Sequence, residues 1–210
     1  MTFYGQFHPP VDQFLFERYF KNKKDGISLE CGAFDGQLES SCKFFEESMN
    51  WKAINIEVSP PIFKKLEINR PKSTNLNIAL SNKEGISKFV HVISPEVGEI
   101  FGNGSLSHLD THKKQLINEG CKFVDYEVKT TTYKKLIESI SIEKLDLMVL
   151  DVEGHELSVI EGMAGSLILP EVLCIEHGHL GIERIKLALS KFPYKYDTSL
   201  HINSFYTKTN

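Results

Sequence analysis

The ten residues Ile27-Ser28-Leu29-Glu30-Cys31-Gly32-Ala33-Phe34-Asp35-Gly36 constrain this chain more than any other stretch. A β-type run ends in an acid, two glycines stand four apart, and the charged, amphipathic segment Leu38 to Met49 follows, which predicts a strand, a turn and a helix. At the carboxyl end of the first strand of an open α/β sheet, glycine lets the backbone approach a ligand, and the acid can accept hydrogen bonds from a polar or cationic group. Glycines at strand ends are also common turn punctuation, so the stretch needs a second feature beside it. Ala53-Ile54-Asn55-Ile56-Glu57 supplies one: a buried-strand pattern ending in an acid, 21 residues after Gly36. A doubly wound nucleotide fold places a carboxylate there to accept both ribose hydroxyls. The alternative is a solvated strand-end acid.

The spacing is E-x-G-x-x-x-G, without the second glycine that a dinucleotide fold puts under the pyrophosphate. Glu30 would repel a pyrophosphate and suits an ammonium group, such as the amino-acid end of S-adenosylmethionine. Charge therefore favours a methyl donor over NAD. The candidate donor contacts are Glu30, Gly32, Ala33, Asp35, Gly36, Glu57, Ser59, Asn77, Ala79 and Asp151.

The remaining sequence alternates strand and helix patterns in one domain over 1–210. Residues 1–25 read as an arm and a helix over 11–20, with Tyr4, Gln6 and Asp12 either lining the sheet edge or packing the arm. Pro60-Pro61 opens a helix, and Asn75 to Ser81 reads as a third strand flanking the base. Residues 82–130 break the alternation with two strand-like runs around Gly98 to Lys114, a glycine-rich loop expected to act as a substrate-side lid, with Ser105 and His108 in it. Leu145 to Asp151 is a nearly pure buried strand ending in an acid, followed by Val152-Glu153-Gly154-His155-Glu156 and a helix. Val172 to His179 repeats that pattern and brings Glu176 and His177 to the same edge. Tyr194 to Thr198 and Ile202 to Thr207 read as a terminal antiparallel pair.

A net charge of −4 gives no global basic field, so duplex nucleic acid is a poor partner. Cys31, Cys42, Cys121 and Cys174 are widely spaced and read as reduced thiols rather than a zinc or disulfide framework. The first residues lack the basic and apolar regions of a signal peptide, and no apolar run is long enough to span a membrane, so a cytoplasmic protein is expected. Oligomeric state is not legible.

These residues together resemble the FkbM-type family of S-adenosylmethionine-dependent methyltransferases, over roughly Tyr4 to Tyr206. Leu150-Asp151-Val152-Glu153-Gly154-His155-Glu156 with Val159-Ile160-Glu161-Gly162 looks like the family's D-x-E-G-x-E box and its helix; Leu29 to Gly36 looks like its donor loop and Asn55-Ile56-Glu57 its ribose-binding acid. Glu30 stands where the family often has Asp, and Cys31 replaces an aliphatic residue. The resemblance implies a Rossmann-like class I methyltransferase fold: a seven-stranded, mostly parallel sheet with a terminal antiparallel hairpin and helices on both faces. It also implies methylation of a hydroxyl, often on a sugar or glycan.

Methyl transfer to a hydroxyl is an in-line displacement, so donor and acceptor must be positioned and a proton removed. His155 or His177 could be the base, beside Asp151; each could equally be a strand-end or capping side chain. Glu153 is a candidate acceptor contact. In a variant, Asp151 and Glu176, with or without Glu153, hold Mg²⁺, which lowers the pKa of the acceptor. The rival functions are methylation of a small metabolite, an NAD-linked oxidoreductase, and a non-catalytic nucleotide- or glycan-binding module.

Overall fold

The computed structural model describes residues 1–209. In chain order its elements are α1 (Val11–Leu15), continued by a π-helical turn (Phe16–Phe20), β1 (Ile27–Cys31), α2 (Lys43–Met49), β2 (Lys52–Ile56), α3 (Pro60–Asn69), β3 (Thr74–Leu76), β4 (Ala79–Ser81), β5 (Gly85–Ile93), α4 (Asp110–Asn118), β6 (Lys122–Thr132), α5 (Tyr133–Ile140), β7 (Leu147–Leu150), α6 (Glu156–Glu161), β8 (Val172–Glu176), α7 (Ile182–Leu189), β9 (Tyr194–Leu200) and β10 (Asn203–Lys208). The main sheet has seven strands in the order β3-β2-β1-β7-β8-β10-β9, and β4, β6 and β5 form a second, three-stranded sheet. All pairings from β3 through β8 are parallel, and β10 runs antiparallel to both β8 and β9.

Alternation along the central strands builds the two faces. On β7, Leu147 and Val149 join one buried cluster with Phe44, Phe45, Trp51 and Phe205, while Met148 and Leu150 join the other with Leu29, Ile56, Tyr133 and Ile175. On β8, Val172 and Cys174 face the first cluster, and Leu173 and Ile175 the second. Successive side chains of a strand point to opposite faces, so a continuous apolar run buries both. Cys31, Cys42 and Cys174 are buried free thiols, and Cys121 is half-buried.

Register decides where the polar strand ends gather. Cys31 lies opposite both Ile56 and Leu150, so Gly32, Glu57 and Asp151 leave the sheet together. Among the described residues no helix is long and apolar enough to cross a membrane.

Three local expectations change. The strand read over 75–81 splits, with β3 in the main sheet and β4 in the small one. At the break, the Asn77 side chain donates to the carbonyls of Glu57 (2.8 Å) and Val58 (3.0 Å), which pulls the chain out of register with β2. The amphipathic segment from Leu38 becomes helical only at Lys43, because Asp35 accepts from the Gln37 and Leu38 amides (both 2.8 Å) and holds a turn there. The end of the glycine-rich loop and the residues beyond it form α4.

Gly32 fixes the spacing of β1 and β7 at this edge. It has φ +85°, and a Cβ there would lie 1.8 Å from the Asp151 carbonyl oxygen. Gly32→Ala is expected to lower the unfolding free energy by about 2 kcal/mol or more, since the clash adds to the usual cost of a left-handed residue. Chemical denaturation checks this; an unchanged midpoint would show that the two strand ends separate freely.

Candidate functional site

A cavity of about 500 Å³ opens at the carboxyl ends of β1, β2 and β7. Its wall includes Glu30, Gly32, Ala33, Glu57, Ser59, Ala79, Ser105, Asp151, Glu153, His155 and Glu176. Residues 100–106, Phe34 and Phe89 also line it. This is the crevice outside the strand ends where open α/β sheets take ligands.

Acids dominate the wall, and most are held by donors from neighbouring turns. Glu30 accepts from the Ser40 hydroxyl (2.7 Å) and the Ser41 amide (2.6 Å). Glu57 accepts from the Phe34 amide (3.0 Å) and the Ser59 amide (2.7 Å). Glu176 accepts from the Gly178 amide (2.7 Å), and its other oxygen is buried without a partner. Glu156 accepts from the amides of Val152 and Gly154 (both 3.1 Å), so the last acid of the D-x-E-G-x-E box clamps its own loop. Asp151 has no protein donor among the described residues. Burial pushes the carboxyl groups of Glu57 and Glu176 up to about 7. It holds Asp151 well above the usual carboxylate range, with Glu153 and Glu176 adding repulsion.

The histidines divide. His155 sits between two hydroxyls, with Nδ1 2.7 Å from Ser107 and Nε2 3.0 Å from Ser81, and burial lowers its pKa, so the ring is neutral. His177 does not line the cavity; its Nδ1 is buried and unpartnered, and its backbone amide donates to Ile202. His179, two residues on, does line the cavity and donates from Nε2 to Glu153 (2.9 Å), which raises its pKa.

Asp35, Gly36, Asn77 and His108 act around the cavity rather than in its wall, whereas Ser105 is in the wall but is held by the small sheet. Asp35 and Asn77 spend their side chains on the turns described above. Gly36 lies against Leu66 and Arg70. His108 donates to the Asn103 carbonyl (2.7 Å). Ser105 is buried and exchanges both backbone hydrogen bonds with Val90 (2.9 and 3.0 Å), which stitches the glycine-rich segment to β5. Among the described residues Asp151 and Glu176 do not converge with a third ligating group; the three that do are His112, Glu153 and His179. His112 and His179 carried no spacing signal in the sequence, because α4 brings His112 in from a segment that reads as loop. The arm is pinned by buried Asp12, which accepts from the amides of Tyr4 (2.7 Å) and Gly5 (3.0 Å), and Gln6 reaches the cavity.

The profile of the methyltransferase FkbM domain matches residues 30–205. The hexuronic acid methyltransferase AglP of Haloferax volcanii is 32% identical over 127 residues, 60% of this chain and 47% of that protein. The crystal structure of a methyltransferase FkbM from Methylobacillus flagellatus aligns with a TM-score of 0.58 at 13% identity, over 94% of this chain and 48% of that one. This second likeness is one of fold. The chain spans about half the length of both relatives.

Arg70 is the residue on which the first turn of the site depends. Its guanidinium donates to Glu46 (2.5 Å), the Gly36 carbonyl (3.1 Å) and the Ser40 hydroxyl (3.3 Å), and its charge opposes the burial that raises the Glu30 pKa. Arg70→Met would leave Glu30 and Glu46 without a counter-charge. The expected cost is about 3 kcal/mol of stability, at the low end for breaking a buried pair because Glu46 is partly exposed. Urea denaturation of the variant measures it; a loss below about 1 kcal/mol would mean that the Ser40 and Ser41 donors alone suffice.

Proposed function

The chain belongs to the methyltransferase FkbM family, and we propose that it is an S-adenosylmethionine-dependent O-methyltransferase acting on a hydroxyl of a saccharide. The observation that carries the reading is the Asp151 carboxylate, on the wall of an acid-rich cavity at the sheet edge with no protein donor of its own among the described residues. A half-buried acid in that position is stabilised by a cationic or hydrogen-bond-donating ligand. The same wall repels a pyrophosphate, which argues against NAD.

S-adenosylmethionine, when bound, supplies a methyl group on a sulfonium centre, electrophilic toward a hydroxyl oxygen. The residues present fit it. Gly32 lets the ends of β1 and β7 close up, which sets the floor of the cavity where the donor would lie. Glu57 is set to accept the ribose hydroxyls, and Ala79, with Phe89 and Val58 packed around it, gives an apolar slot for a purine. Glu30 and Asp151 would hold the ammonium group. His155, kept neutral by burial, takes the proton of the acceptor hydroxyl when that hydroxyl replaces a serine at one of its nitrogens. The chain works as one domain, with residues 82–130 forming the acceptor side. The hexuronic acid methyltransferase relative supports a saccharide acceptor.

Glu57 provides the test. Its carboxyl group, raised to about 7 in the free protein, is pulled back toward the charged form by two hydroxyl donors. Binding then releases a proton, so affinity rises with pH. Calorimetric affinity for S-adenosylhomocysteine is expected to improve about tenfold or more between about pH 6 and pH 8, and Glu57→Gln should bind more weakly and lose much of that pH dependence, the remainder coming from Asp151. NAD binding in its place, or neither ligand binding, would overturn the reading. Transfer of a labelled methyl group to saccharide and small-metabolite panels then separates the acceptor classes from a non-catalytic module. Asp151→Asn is expected to lower transfer by about two orders of magnitude, and unchanged turnover would remove Asp151 from the chemistry.

A further inference from the structure

We propose that His112, Glu153 and His179 form a binding site for a divalent cation of the Zn²⁺ class in the wall of the main cavity. The three come from separate places in the chain: His112 from α4, Glu153 from the turn after β7, and His179 from the turn after β8. Their donor atoms all lie within 4.8 Å of one another. The Glu153 Oε2 is 2.9 Å from His179 Nε2 and 3.8 Å from His112 Nδ1. Donors around a tetrahedral Zn²⁺ at its usual bond lengths are about 3.3 Å apart, a spacing that these two distances bracket.

A second observation points to a ligand independently of the clustering. His112 has 3% of its side chain exposed, and its Nδ1 is buried without a hydrogen-bond partner. Its Nε2 lies 3.3 Å from the Asn103 side-chain oxygen, which can only accept, so Nε2 carries the proton and Nδ1 presents its lone pair. That lone pair faces a carboxylate oxygen at 3.8 Å with no donor between them. Two facing lone pairs are stabilised by a cation. The Asn103 contact is the outer hydrogen bond that fixes a ligating histidine's tautomer, and stacking against His179, with centroids 3.8 Å apart, fixes the ring plane.

Two imidazoles and one carboxylate favour Zn²⁺ and similar borderline cations over Mg²⁺, which prefers oxygen ligands. Coordination would use the His179 Nε2 lone pair: a cationic ring gives its Nε2 proton to solvent, a neutral ring carries its proton on Nδ1, and the remaining positions on the ion are left for water or an acceptor hydroxyl. Glu153 and His179 both line the cavity, so those positions adjoin it. The existence of the site is independent of the methyl-transfer reading. Its use there, lowering the pKa of an acceptor hydroxyl, rests on that reading.

The test is calorimetric titration of the metal-stripped full chain with ZnCl₂ and, separately, MgCl₂. About one equivalent of Zn²⁺ should bind, with no Mg²⁺ binding at the same concentrations. His179→Ala and Glu153→Gln should each weaken Zn²⁺ about tenfold or more, while Cys121→Ser, at the half-buried thiol, leaves it unchanged. Because His112 is buried, its removal can disturb folding, so the decision rests on the partly exposed His179. Co²⁺ added to the stripped protein should give a visible spectrum that His179→Ala abolishes. No Zn²⁺ uptake, uptake unchanged in both ligand variants, or uptake lost in Cys121→Ser would overturn the proposal. S-adenosylhomocysteine binding by the same metal-free sample reports separately on the donor reading.

Discussion

Carboxylates crowded at one edge of a sheet are the constraint around which this structure is arranged. Glu30, Glu57, Asp151, Glu156 and Glu176 all stand at or just beyond the carboxyl ends of strands, and isolated charge in such a place is costly. The neighbouring turns answer it with amides and hydroxyls: Ser40 and Ser41 for Glu30, Phe34 and Ser59 for Glu57, Val152 and Gly154 for Glu156, Gly178 for Glu176. Each of those hydrogen bonds also sets the path of a loop. The acid that a ligand would meet and the turn that shapes the cavity are therefore fixed by the same contact.

This arrangement explains how the site keeps its form between two sheets. Asn77 turns the chain from the main sheet toward the small one by bonding the carbonyls that follow β2. The small sheet then carries Ser105 against Val90, and Ser81 against His155, so the wall opposite the strand ends is stitched in place. The segment expected to act as a substrate-side lid is tied at Ser105 to Val90 and at Ser107 to His155, and leads directly into α4. Neutral His155 between two serines and the His112, Glu153, His179 group are both products of that closure.

Much of the cavity wall at the ends of β1 and β2 was legible in the sequence because its signals are local. A buried strand, a glycine that must approach a neighbouring backbone and an acid 21 residues later fall within thirty or so residues of chain, and their register follows from the parallel pairing of β1 with β2. The part of the wall built by the turn after β8 was not legible. Gly178 leaves little room beside the Glu176 carboxylate, and the chain reverses there, so His179 enters the cavity wall where His177 does not. Two residues on one short turn have nearly the same sequence environment and opposite surroundings.

The sequence by itself determined the alternation of strands and helices, the acid and glycine at the end of β1, the Glu57 and Asp151 strand ends and the terminal hairpin. These follow from periodicity and backbone chemistry that each segment carries alone. Only the tertiary structure decided which histidine meets which acid, that residues 75–81 serve two sheets, and that Glu156 clamps a turn while Asp151 has no protein donor among the described residues. Those outcomes depend on hydrogen bonds and packing between segments far apart in the chain, whose geometry no local pattern encodes.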